Sequence, residues 1–235
     1  MHRRATAAAL AVGIFVATAW SPAPAGEDES KRVAAATAVL DELMGIPEKG
    51  VPGWLLKEAH GIAVIPGVIK AGFVVGGRRG HGVLVVRDGK SGWSRPVFVT
   101  LTGGSIGWQI GAQSTDVILV LKSKRSVDGI LKGKFTLGGN ASVAAGPVGR
   151  HAEAGTDVQL KAEIYSYSRS RGLFAGLSLE GAKLGIKKDA NASFYGSDRL
   201  TAGDILENRK LETPAPARAF VETLEKYIEA AAKAE

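Results

Sequence analysis

The sequence predicts a mainly β domain of the α+β class, an antiparallel glycine-rich barrel or sandwich with N-terminal and C-terminal helices. Three observations carry that expectation. Short β-branched runs punctuated by glycine recur from Gly61 to Gly196, no long helical pattern separates them as a βαβ unit requires, and helical periodicity is confined mainly to the two flanks. The 235-residue length and 45% hydrophobic content suit one packed domain rather than a disordered chain. There is no cysteine, which excludes disulfides, thiolate metal sites, a cysteine nucleophile and a lipidated cysteine, and leaves packing to hold the domain together.

The first 25 residues read as a cleavable signal peptide. Arg3 and Arg4 form its charged end, Ala5 to Trp20 its apolar stretch, and Ala23-Pro24-Ala25 the small-x-small cleavage pattern. The apolar run is shorter than the roughly 20 residues a membrane span needs, and Pro22 interrupts it. Cleavage after Ala25 removes two arginines, so a formal charge of +7 becomes +5. The mature chain is then mildly cationic, with no transmembrane helix, and suited to anionic partners. Export argues against nucleic acid as the partner.

A first helix is expected over Ser30 to Met44, where Val33, Thr37, Leu40 and Met44 recur at helical spacing before Gly45 and Pro47. Pro52 opens one or two helical turns at Trp54-Leu55-Leu56. Strands are expected at Ile62 to Ile65, Gly72 to Val75, Val83 to Arg87, Pro96 to Leu101, Ser105 to Ile110 and Thr115 to Leu121. Asp88-Gly89-Lys90 and Thr102-Gly103-Gly104 supply turns between some of them. Ser126 to Lys132 reads as a short capped helix. Val158 to Ser168 and Leu173 to Ile186 then read as a long hairpin turning at Ser170 to Gly172, and the alternation around Lys161 and Glu163 leaves one face wet. Beyond Pro214 and Pro216, the spacing of Phe220, Leu224, Tyr227 or Ile228, and Ala231 marks an amphipathic helix whose apolar stripe can pack on the sheet, the ordinary outcome, or face a membrane.

Several motifs resemble reactive sites without the context those sites need. Gly103-Gly104-Ser105-Ile106-Gly107 matches the G-x-S-x-G elbow, and His151 follows it, but glycine and β-favouring residues stand where a helix should begin. Asp189 to Ser193 opens like a calcium loop, yet Phe194 and Leu200 occupy the positions of its glycine and glutamate, so a polar turn is the better account. His60, His81 and His151 lack zinc-ligand spacing. The glycines from Gly138 to Gly149 match neither nucleotide-binding fingerprint and suit tight turns or close backbone contact. No cofactor or metal is expected, and no catalytic residue.

Basic residues cluster at strand ends and turns: Lys122, Lys124 and Arg125; Lys132 and Lys134; Arg169 and Arg171; Lys187 and Lys188. Two readings stand side by side. If several converge on one face, each contributes on the order of 1 kcal/mol at an anionic lipid surface. Otherwise they are solvated charges that protect strand edges from aggregation.

A family resemblance runs through much of the chain. Trp93-Ser94-Arg95-Pro96, Gly103 to Gln113, Thr115-Asp116, Leu137-Gly138, Gly146 to Arg150, Tyr165 to Gly176, Ser178 to Gly181, Asn191 and Phe194-Tyr195-Gly196 resemble, in order, the signature blocks of the SYLF domain. The resemblance covers about residues 54–196, with flanking helices at about 30–44 and 216–234, and treats 26–235 as a single SYLF-like domain of a secreted bacterial branch. It implies a β-rich membrane-binding module without catalysis, phosphoinositide binding in eukaryotic members, and actin binding in fungal ones. No SH3 or FYVE domain accompanies the blocks in this sequence, and the export signal argues against actin as a partner.

The expectation is therefore a periplasmic or envelope-associated protein that binds anionic membrane phospholipid. Arg169 and Arg171 lead the headgroup candidates, followed by Lys122, Lys124, Lys132 and Lys134. A structural or adhesive envelope protein that binds another protein is the alternative, and hydrolysis at Ser105 a minor one.

Overall fold

The computed structural model describes residues 26–45, 50–89, 92–133, 135–147, 161–170, 173–174, 179–208 and 210–233, with backbone alone at 73–75, 105–112 and 173–174. The proposed export segment, Lys134, His151, Arg171 and the strand start at Val158 lie outside these residues.

Ile62-Ala63-Val64-Ile65 and Val117 to Leu121 are uninterrupted apolar runs, the pattern of strands covered on both faces. They belong to β1 (Gly61–Asp88) and β3 (Val97–Leu121), which pair antiparallel from Gly61 opposite Leu121 to Leu84 opposite Val97. The six short strands expected from the glycine spacing are thus two long ones. Thr102-Gly103-Gly104 is a corrected reading: it stays in the ladder opposite Arg79, Arg78 and Gly77 instead of turning.

Curvature explains those glycines better than turns do. A Cβ on Gly82 would lie 2.1 Å from the Val64 carbonyl oxygen, and one on Gly80 2.7 Å from methyl groups of Ile65 and Val68. The two halves of β1 therefore cross where side chains are missing. Register shifts between Ile65 and Val68 and between Gly72 and Val74 add to the bend. The result is one eight-stranded sheet curled into a half-barrel.

The remaining strands attach to this curled pair. Around Gly89, β1 turns to β2 (Gly92–Trp93), as expected, with Asp88 opposite Gly92. β4 (Phe135–Thr136) pairs with β8 (Lys183–Ile186), and β8 in turn with β3 at Val99 to Thr102. β5 (Val143–Ala145) lies parallel to β6 (Ile164–Ser170), a departure from a wholly antiparallel sheet. β6 lies against the C-terminal half of β3. Ser170 faces Leu173 in β7 (Leu173–Phe174), an antiparallel pairing of the kind the expected hairpin requires, with Arg171 and Gly172 outside the described residues. The hairpin's second strand does not run on to Ile186 against β6, because residues 183–186 are recruited by β3 and β4.

Two apolar cores follow from strand alternation. Ile62, Val64, Ile118, Val120 and Tyr165 point to a face covered by α1 (Glu27–Met44), α2 (Gly53–Glu58) and α6 (Ala215–Lys233), which contribute Leu40, Leu55 and Phe220. Ala63, Ile65, Val117, Leu119 and Leu121 point to the other, closed by Val127 and Ile130 of α3 (Lys124–Leu131) and Ile205 of α5 (Ala202–Glu207). The C-terminal helix packs as its stripe predicts, with Ala217, Phe220 and Leu224 buried. The capped helix expected near Ser126 is α3, whose cap is Ser123.

Asp189 to Ser193, expected as a polar turn, lies in α4 (Lys188–Tyr195). Tertiary contact outweighs the local turn signal there. Asn191 is 2% exposed and its Oδ1 accepts the Phe98 backbone N–H at 2.8 Å, while Phe194 packs edge-on to Phe98.

Candidate functional site

Helix α1 buries Val33, Ala36, Val39, Leu40 and Leu43, a stripe at helical spacing, against the sheet and α6. That choice of face places Asp28, Lys31, Arg32 and Ala35 beside the curled part of β1. Between them lies an open cleft of about 740 Å³, whose strand wall is Pro66, Gly67, Ile69, Ala71 and Gly77 to His81. Its lining holds Lys31, Arg32, Arg78 and Arg79 against a single carboxylate, Asp28.

A β-bulge shapes the strand wall. Gly67 takes φ +56°, open to glycine at little cost, and its N–H donates to Asp116 Oδ1 at 2.8 Å. Past the bulge Val68 is buried, whereas Ile69 is 54% exposed, the one large apolar side chain so exposed among the described residues. Arg78 donates from Nη2 to the Gly104 carbonyl at 3.0 Å, which braces its guanidinium against β3. Arg79 stands exposed. From the helix wall, Lys31 pairs with Glu27 at 2.6 Å, and Arg32 Nη1 reaches the Glu29 carboxylate at 4.0 Å without a hydrogen bond.

His81 lies half-buried in the cleft, its Nδ1 3.1 Å from Thr100 Oγ1. Burial, and then the charges of Arg32, Arg79 and Lys187, hold its pKa below the ordinary histidine value, against a smaller opposite pull from Asp189. The imidazole is thus surrounded by cations in a cleft already short of negative charge.

Among the described residues, the basic side chains marked by the sequence are spread over separate elements. Lys122 pairs with Glu58 at 2.8 Å, its ammonium 5.6 Å from the Trp54 ring and 5.8 Å from that of Tyr165. Arg125 holds Glu163 at 2.5 Å, at the Ile164 end of β6. Arg169 sits near the opposite end of that strand, 19% exposed, and joins β6 to α1 through an ion pair with Glu42. Those ends are roughly 17–20 Å apart at the usual strand rise. Lys124, Lys132 and Lys188 are exposed at helix ends. Lys187 pairs with Asp189 at 2.6 Å and is the one whose charge also reaches the cleft at His81.

Lys122, Arg125, Arg169 and Lys187 each pair with a carboxylate in this fold. The cleft cations Lys31, Arg32, Arg78 and Arg79, with Ile69, were not among the residues marked. The signals available were the doublets Lys31-Arg32 and Arg78-Arg79, the second set among glycines. Ser105, the serine of the elbow lookalike, lies within β3 opposite Gly76. A nucleophile elbow requires a strand-to-helix turn at that position.

The architecture is that of a helix-flanked, curled β domain carrying an open cationic cleft. Residues 102–227 match the family model described as "Ysc84: Las17-binding protein actin regulator". The chain belongs to this family, the SYLF family whose blocks the sequence carries. The SH3 domain-containing YSC84-like protein 1 of Xenopus laevis is 37% identical over 215 residues, covering 89% of this chain and 63% of that protein. Its Homo sapiens counterpart is 41% identical over 188 residues, covering 78% and 53%. Protein YSC84 of Saccharomyces cerevisiae is 41% identical over 168 residues, covering 70% and 36%. The chain thus spans less than two thirds of the length of each of these relatives.

Proposed function

We propose that this protein is a non-enzymatic module that binds anionic phospholipid at the cell envelope, through the cleft between α1 and β1. One observation carries the reading: Ile69, exposed on a braced bulge, borders a cleft lined by two lysine–arginine or arginine–arginine pairs. Cations attract a negatively charged surface, and an apolar side chain gains by entering the acyl boundary. A signal peptide at residues 1–25 would deliver the domain to an extracytoplasmic membrane. Among the described residues no helix is long and apolar enough to cross one, so the reading assigns membrane contact to the folded surface. Of the basic residues first considered, Lys187 contributes at the cleft, and Lys124, Lys132 and Lys188 serve at most as peripheral attraction.

Co-sedimentation with phosphatidylglycerol and phosphatidylcholine vesicles at low salt tests the proposal. Preferential binding to phosphatidylglycerol supports it; failure to bind either overturns it. A second reading, capture of an envelope protein, draws on the family's description as Las17-binding. It predicts a salt-insensitive protein complex with no lipid preference. Actin regulation is not carried over, because the proposed export removes the chain from actin.

A further inference from the structure

Resting on that reading of the cleft, we infer that His81 makes anion capture proton-linked: a phosphate-bearing group in the cleft is held more tightly once the imidazole carries a proton. The geometry sets up the coupling. His81 is part of the cleft wall, and its Nδ1 is occupied near Thr100 Oγ1 at 3.1 Å. The groups around it come from every packed element. Helix α1 presents Asp28, Lys31 and Arg32, β1 presents Arg78 and Arg79, β3 presents Thr100, and the start of α4 brings Lys187 and Asp189.

With the cleft empty, partial burial and then the charges of Arg32, Arg79 and Lys187 oppose a further positive charge, so the ring takes a proton below the ordinary histidine value of 6.5. An anion among the same cations offsets their repulsion and favours the protonated ring. Coupling is reciprocal, so protonation favours the anion by the same factor. The sign is therefore fixed: binding strengthens as pH falls through the raised pKa of the bound protein, and the gain saturates once His81 is charged in both the free and the bound protein. One added cation at an anionic surface corresponds to about a fivefold gain in affinity.

A phosphodiester ligand isolates the protein's titration, since its own charge is constant across this range. Binding is measured at pH 7.5 and 5.5, at fixed ionic strength, to phosphatidylglycerol vesicles and to the soluble deacylated headgroup glycerophosphoglycerol. The unaltered protein, His81→Gln and the exposed-site control His60→Gln are compared. The expected result is a gain at the lower pH, approaching fivefold as His81 becomes charged in the free protein, retained in His60→Gln and lost in His81→Gln. A gain seen with vesicles alone assigns the linkage to the bilayer surface, and one shared with the soluble headgroup assigns it to the phosphodiester; both uphold the inference.

Equal binding at the two pH values, or a gain that survives His81→Gln, overturns it while the lipid reading stands. No vesicle binding at either pH overturns the lipid reading itself. Proton NMR titration of the His81 ring in the unaltered protein supplies a test independent of any variant. Its pKa rises with ligand if the inference holds, and an unmoved pKa with ligand bound refutes it.

Discussion

Ile69 and Arg79 divide the proposed membrane contact into an apolar and an electrostatic part, and salt separates the two. About half of the Ile69 side chain, at 54% exposure, remains to be removed from water. Completing that burial contributes about 1 kcal/mol, so Ile69→Ser is expected to weaken phosphatidylglycerol vesicle binding about fivefold. Arg79→Gln removes an exposed charge worth about 1 kcal/mol at an anionic surface and gives a similar loss at low salt. Raising ionic strength from about 0.01 M to about 1 M shortens the Debye length from about 30 Å to about 3 Å. The Arg79 deficit then disappears, while the Ile69 deficit persists.

Combined, the two substitutions weaken low-salt binding roughly 25-fold if the sites act independently. Both side chains lie outside the two apolar cores, so thermal unfolding midpoints should match those of the unaltered protein. Co-sedimentation over a salt series reads each part. Ile69→Ser binding as tightly as the unaltered protein, or the two deficits responding alike to salt, would refute the division and with it this docking geometry.

Three further perturbations address the scaffold. Gly82→Ala puts a methyl where the Val64 carbonyl oxygen lies 2.1 Å away; urea unfolding should show a loss of about 3 kcal/mol, at the upper end of ordinary overpacking. Asn191→Ala strips the buried Phe98 N–H of its acceptor and should cost about 2 kcal/mol by the same assay. Burial pulls the Glu163 carboxyl upward, but hydrogen bonds from Ser123, Arg125 and Ser126 and the Arg125 charge outweigh it and hold the group below its ordinary value of 4.5. Its stabilisation is therefore present above that value and lost as pH falls through the lowered one. Because the Arg125 side chain is 74% exposed, Glu163→Gln should remove about 0.5 kcal/mol at pH 7, and less as pH falls through the lowered value, in chemical denaturation.

Local chemistry reported the helices well. Val33 and Leu40 of α1, Phe220 and Leu224 of α6, and the turn opened by Pro52 occupy helical spacing that burial then used. Glycine was harder to interpret. Gly103 and Gly104 look like a turn pair, yet the strand continues through them because Ala182 packs against Gly103 and the Arg78 guanidinium reaches the Gly104 carbonyl. Asn191 similarly carries a turn preference that its buried bond to Phe98 overrides.

The same division runs through the site. Composition and the ordered blocks from Trp93 to Gly196 specify family, β-rich class and net positive charge, since these depend on residue type and spacing along the chain. Which cations are available depends on folding, because ion pairs form between residues distant in sequence. Glu42 engages Arg169 from 127 positions away and Glu58 engages Lys122, while Arg78, Arg79 and His81 meet α1 where β1 curls across its own glycines. A basic cluster is visible in one dimension; the carboxylate that occupies it, or the cleft that gathers others, exists once the sheet has closed.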